Sequence, residues 1–140
     1  MISPYLISGA AGWVVAQGIK TLISLSRSSG DKTVRMLYVS GGMPSAHSAT
    51  VVSLATTVAF IDGVDSAVFG VALTLALIVM YDAMMVRRSS GRQGEIISKM
   101  VKDAKSDINV PRFAKGHEPI EVFAGAILGL FIGVTVNFVT

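Results

Sequence analysis

The sequence holds no cysteine in 140 residues, which excludes a disulfide framework, a thiolate zinc site and a cysteine nucleophile. Charge is also scarce. Only 15% of the residues are Asp, Glu, Lys or Arg, against about 25% in an ordinary soluble domain. Four prolines and two histidines complete the short supply. What remains is 51% hydrophobic, with a mean hydropathy of +0.63. That balance excludes disorder and argues against a soluble globular domain. Twelve Lys and Arg against nine acidic residues leave a net charge of +3. In so apolar a chain this points to basic loops beside a membrane, and no nucleic-acid partner is expected.

The apolar residues gather into four segments, expected as membrane helices at about 4–25, 44–61, 66–84 and 119–139. The second is short for a span. No Lys or Arg precedes the first, so a cleaved signal peptide is not expected. The connecting stretches differ sharply in charge. Arg27, Lys32 and Arg35 follow the first segment, and eight Lys and Arg lie between the third and fourth, whereas Asp62-Gly63-Val64-Asp65 joins the second to the third. The positive-inside rule places both basic loops in the cytoplasm and both termini outside. The expected fold is an all-α membrane protein in one domain, with four transmembrane helices in an antiparallel bundle. A bacterial plasma membrane is the expected location.

Two features qualify the bundle. Gly125, Gly129 and Gly133 recur every fourth residue, a ridge that suits either internal packing or a homo-oligomer contact. Thr50, Ser53 and Thr57 form a polar stripe, expected to face the interior and bond between helices. In the long basic loop, Ser90-x-x-Gln93 resembles a capping box. Ile97, Met100, Val101, Ala104 and Ile108 follow at helical spacing. This predicts a separate amphipathic helix over about 91–108, lying on the inner leaflet or packed under the bundle.

The ionisable residues fall at one end of this topology. Lys20 ends the first helix, His47 starts the second, Asp82, Arg87 and Arg88 end the third, and His117 and Glu121 start the fourth. Ionisable groups in membrane segments are costly and mark function by default. Two imidazoles suit nucleophile and general acid, because their pKa lies near neutrality. Glu121, four residues after His117, can fix its tautomer. The cations, together with the N–H groups of Ser40-Gly41-Gly42, suit a phosphate. The set therefore suggests phosphoryl transfer through a phosphohistidine on a lipid headgroup. A divalent metal held by His117, Glu121, His47 and Asp82 is the competing chemistry, and the surrounding cations oppose it.

These residues resemble the divergent branch of the type 2 phosphatidic acid phosphatase superfamily, which also contains the vanadium haloperoxidases. The superfamily carries Lys-x6-Arg-Pro, Pro-Ser-Gly-His and Ser-Arg-x5-His-x3-Asp. Here six residues separate Lys20 from Arg27, with Ser28 in place of Pro; Pro44-Ser45-Ala46-His47 has Ala for Gly; and His117-x3-Glu121 has Glu for Asp. Motifs typical of the branch appear as Gly41-Gly42-Met43-Pro44-Ser45-Ala46-His47, Tyr81-Asp82-Ala83-Met84-Met85-Val86-Arg87-Arg88, with Met85 in place of Gly, and Gly116-His117-Glu118-Pro119-Ile120-Glu121-Val122.

The resemblance implies that His117 attacks phosphorus, Glu121 orients it and His47 protonates the leaving oxygen. Lys20, Arg27, Ser45 and the Ala46 N–H would bind phosphate oxygens. The arginine of the third motif has no counterpart at its spacing: Arg112 stands one residue too close to His117. Arg87 or Arg88 would supply that charge, with Asp82, Arg92 and Arg112 in support. The implied activity is metal-independent hydrolysis of a lipid phosphate monoester or prenyl diphosphate at the cytoplasmic face, with no cofactor. The alternative from another class is a catalytically silent protein that binds anionic lipid or serves as a scaffold.

Overall fold

A computed structural model describes residues 3–27, 42–110 and 116–140. Among these every regular element is helical. Helix α1 spans Pro4–Arg27, α2 Ala46–Ile61, α3 Ala67–Tyr81, α4 Arg87–Asp103 and α5 Pro119–Val139, and a π-turn at Asp82–Val86 joins α3 to α4.

Polar residues decide where the helices begin. Ser45 caps α2, its hydroxyl accepting from the N–H of Ser48, and Ser66 caps α3 by accepting from the N–H of Phe69. Each cap satisfies an N–H that a helix start would otherwise leave unpaired. Pro119 begins α5, where a missing N–H has no consequence. Helix α2 runs antiparallel to α1, the unbroken α3–α4 stretch turns back from α2, and α5 runs in the same direction as α2.

Helix α2 lies at the centre. It packs most extensively against α5, then α1, then α3. Its 16 residues span about 24 Å, short of a hydrocarbon core of about 30 Å. Three helical stretches are long and apolar enough to cross a membrane: Pro4–Ser26, Ala67–Asp103 and Pro119–Val139.

The interior is built from small residues. Ala16, Ala46 and Ala49 pack with Leu128 between α1, α2 and α5, while Ala55, Val58 and Ala72 join α2 to α3. Gly125, Gly129 and Gly133 are buried on α5 against α2. A Cβ at Gly125 would collide with the carbonyl oxygen of Ser45; one at Gly129 would lie 2.6 Å from that of Ala49, and one at Gly133 2.7 Å from that of Ser53. The ridge is therefore an internal contact, and the expectation that it joins two copies is corrected: those faces are already covered by α2.

The polar stripe turns inward as expected. Ser8 and Ser53 exchange bonds, each hydroxyl donating to the other's carbonyl at 2.8 and 2.9 Å, and Thr57 donates to the Ser8 hydroxyl at 2.7 Å. Thr50 instead donates to Ala46 in its own helix. At the far end the Tyr5 hydroxyl donates to Asp62 in the hairpin at 2.7 Å.

The separate amphipathic helix over 91–108 is also corrected. Helical structure continues unbroken from Ala67 to Asp103, so Ser90 sits inside it and caps nothing. At 1.5 Å per residue those 37 residues reach about 55 Å. A stretch continuous with a spanning helix cannot also lie flat on a leaflet. Nor does α4 pack beneath the bundle: Gly91 is its one buried residue, and Ile96, Ile97 and Met100 are exposed.

Candidate active site

Three chain segments meet at the end of the bundle where α2 and α5 begin and α3 ends. Two backbone bonds tie them together. The Ser45 N–H donates to the carbonyl of Glu121 at 3.0 Å, and the His117 N–H donates to the carbonyl of Ala83 at 3.2 Å. Gly116, at a φ of +72°, lies directly on the peptide between Arg87 and Arg88, where a Cβ would strike the Arg88 backbone. Only glycine takes that conformation and that approach without strain.

His117 is held deep in this junction, at 2% exposure. Its Nδ1 lies 3.0 Å from Glu121 Oε2, which also accepts from the Glu118 N–H at 3.1 Å. The second bond fixes the carboxylate, and the carboxylate fixes the ring. A Glu121 that accepts from Nδ1–H leaves Nε2 with a free lone pair. Burial pushes the His117 imidazole below its ordinary value of 6.5, and Glu121 pulls it partway back. Lys20 and Arg87 push it down further. The ring is therefore neutral at neutral pH.

His47 stands on the first turn of α2, with its ring centroid 6.2 Å from that of His117 and the two planes inclined at 67°. Arg87 NH1 lies 3.3 Å from His47 Nε2, while Arg87 Nε donates to Asp82 Oδ2 at 2.7 Å. The Lys20 charge reaches Glu121 and both histidines, and its aliphatic stem runs beside Gly42. Two cations thus border a pair of imidazoles, each cation near one carboxylate.

The structure gathers His47, His117, Glu121, Lys20, Asp82 and Arg87. It does not gather every residue named from the sequence. Ser45 is fully buried, and its hydroxyl accepts from both the N–H and the hydroxyl of Ser48, so its side chain serves the helix start. Ala46, the first residue of α2, is buried beside it. Arg88 is half-buried and Arg92 exposed, and neither side chain makes a hydrogen bond or ion pair among the described residues. The side chain of Arg27 and the whole of Arg112, Ser40 and Gly41 lie outside the described residues. For the metal alternative, no three of His, Asp and Glu come together as a ligand cluster among the described residues. His47 Nε2 faces a guanidinium, a poor neighbour for a divalent ion.

Sequence spacing missed the pairing of Asp82 with Arg87. Five residues along an α-helix turn through about 500°, which leaves the two side chains some 140° apart. In the π-turn the Arg87 N–H instead bonds to the Asp82 carbonyl, five residues back, and both side chains share a face. Nothing in the hydrophobic periodicity marks that register.

Comparison with known proteins places the chain. The uncharacterized membrane protein YuiD of Bacillus subtilis (strain 168) is 37% identical over 142 aligned residues, covering 91% of this chain and 89% of the relative. No solved structure matches. The family model described as "Divergent PAP2 family" matches residues 2–132. The sequence motifs, the histidine–carboxylate junction and this match agree, and the chain belongs to the divergent PAP2 family.

Proposed function

We propose that this protein is a metal-independent phosphatase that hydrolyses a lipid phosphate monoester or a prenyl diphosphate. The observation that carries the reading is the His117–Glu121 pair: Nδ1 is engaged by a carboxylate that is itself anchored to backbone, and Nε2 keeps its lone pair. In the proposed step Nε2 attacks phosphorus and the bond from phosphorus to the leaving oxygen breaks. His47 gives that oxygen a proton. Water then attacks the phosphohistidine, His47 takes the proton from the water, and inorganic phosphate leaves. Lys20 and Arg87 stabilise the phosphoryl oxygens through the transfer.

The four apolar helices all cross the membrane in this reading, α2 being the short one. The site lies at the cytoplasmic face of a bacterial plasma membrane with both termini outside, because the flanking loops carry the Lys and Arg. A headgroup phosphate stands at that depth.

A second reading is favoured by one observation. The His117 ring is almost wholly buried and the His47 Nε2 is occupied by Arg87, as suits a silent site that binds anionic lipid without turning it over. The two readings part in one assay: phosphate release from a lipid-phosphate panel in detergent, with chelator present and vanadate as competitor. Turnover that resists chelator, yields to vanadate and disappears in His117→Gln establishes the hydrolase. Lipid binding that survives His117→Gln, with no turnover beside an active reference phosphatase, establishes the silent site.

A further inference from the structure

The acid of the proposed reaction is blocked in the resting structure. Arg87 NH1 faces His47 Nε2 at 3.3 Å. A guanidinium has donors and no acceptor, so Nε2 must accept and carries no proton. The remaining proton of the neutral ring sits on Nδ1. A histidine in that tautomer cannot protonate a leaving oxygen through Nε2.

Arg87 does not reach His47 by chance of rotamer. Its Nε is held at 2.7 Å by Asp82, and the π-turn is what brings Asp82 and Arg87 onto one face. The same turn anchors His117, through the carbonyl of Ala83. One irregularity in a long helix therefore sets the guanidinium against one histidine and the backbone of the other.

We infer that Asp82 and Arg87 are a positioning pair that holds His47 in its Nδ1–H tautomer until a phosphate anion draws the guanidinium away. The phosphate-acid step rests on the hydrolase reading above; the hold on the tautomer does not. The physical drive is simple. Arg pairs more strongly with a phosphate oxygen than with a neutral imidazole, and does so bidentately. Once Arg87 turns to the anion, His47 Nε2 is exposed to a dianion and can take a proton from solvent. The groups facing His47 are Asp82 from the π-turn, Arg87 from the start of α4, Lys20 from α1 and His117 before α5. Of these only Arg87 occupies its ring nitrogen. Asp82 and Arg87 act on His47, and Arg87 also meets the anion.

Nitrogen NMR of the two histidine side chains in the purified, detergent-solubilised full chain tests this directly, since tautomers and the imidazolium have distinct 15N signatures. Without ligand, His47 should show the Nδ1–H tautomer alone. Titration with inorganic phosphate should convert it to the doubly protonated form, while the His117 signal keeps its bond to Glu121. In Arg87→Met and Asp82→Asn, His47 should show mixed tautomers before phosphate is added, and phosphate affinity should fall by about tenfold or more in Arg87→Met. The His117 signal reports that each variant is folded. Lys99→Gln, on the exposed part of α4, should change neither signal nor affinity.

A ligand-free His47 protonated at Nε2, or a phosphate complex that leaves its signal unmoved, overturns the inference, and neither result depends on a variant. Repeating the titration with phosphatidic acid in mixed micelles separates a headgroup from free phosphate as the source of the anion. If phosphate shifts His47 but no lipid is hydrolysed, the pair stands and the hydrolase reading falls. If lipids are hydrolysed while His47 ignores both phosphate and Arg87→Met, the pair falls and the hydrolase reading stands.

Discussion

The backbone N–H of His117 donates to the carbonyl of Ala83 across 3.2 Å, tying the loop before α5 to the π-turn after α3. That bond explains why two motifs some thirty residues apart act as one site. The nucleophile candidate is fixed from the side chain by Glu121 and from the backbone by the turn that also aims Arg87.

Gly116 guards the same junction. Its φ of +72° strains any other residue, and an added Cβ meets Arg88 backbone rather than a side chain that could yield. Gly116→Ala should lower stability by about 1–3 kcal/mol, or prevent folding. Thermal unfolding in detergent measures the loss, and a variant as stable as the parent would refute the packing.

The α5 glycines should respond in the opposite sense to an open one. Gly129→Ala drives a methyl to within 2.6 Å of the Ala49 carbonyl and should part α2 from α5. Gly70 has nothing within 4 Å of its missing Cβ, so Gly70→Ala should be neutral or stabilising by up to about 1 kcal/mol. Comparative unfolding of the two variants checks the sign. Gly129→Ala should act on the monomer fold and leave its tendency to cross-link between copies unchanged.

Glu121→Gln should retain a bond to the Glu118 N–H while losing the charge that supports a developing imidazolium. The expected outcome is a fall in kcat of about 10²–10⁴-fold with little change in KM, by analogy with the orienting carboxylate of a catalytic triad. Steady-state phosphate release measures it. Equal losses in both parameters would point to damaged binding instead.

The pH profile follows from burial. His117 is pushed below 6.5, and a nucleophile must be unprotonated. Phosphate release should therefore rise along an acid limb with its midpoint below 6.5, and fall again at higher pH where His47 no longer carries the proton it must donate. Glu121 raises the His117 pKa, so Glu121→Gln should move that limb to lower pH. The same sign governs stability. The folded state resists protonating this ring, so its contribution is complete above 6.5 and is lost on acidification below that value.

The sequence was most legible where structure is periodic or chemically marked. The apolar segments became helices within a few residues of their expected bounds, because roughly 20 apolar residues admit little else in a membrane. The three branch motifs were legible because each sets a histidine or a carboxylate at the end of an apolar segment. The stripe from Ser53 to Thr57 could be assigned inward because hydroxyls avoid hydrocarbon when another helix offers a carbonyl.

Other features were ambiguous at that level. Ser90-x-x-Gln93 reads as a cap in isolation, yet α3 was already helical on arrival and carried the chain through it. The glycine ridge read equally as an inner or an outer contact, and only the approach of α2 chose between them. Arg88 and Arg87 were equal candidates for a missing cation; the side chain of one pairs with nothing among the described residues and the other lies between Asp82 and His47.

By itself, then, the sequence determined a helical membrane protein, the order of its apolar segments and the identity of its two histidines and their carboxylate. Those follow from local rules: hydropathy over a span and side chains four residues apart on one turn. The tertiary structure alone decided which cation reaches the histidines, which face the glycines serve and where the long helix ends. Those depend on one extra residue in a helical turn and on backbones within a few ångströms of each other, neither of which leaves a trace in composition or period.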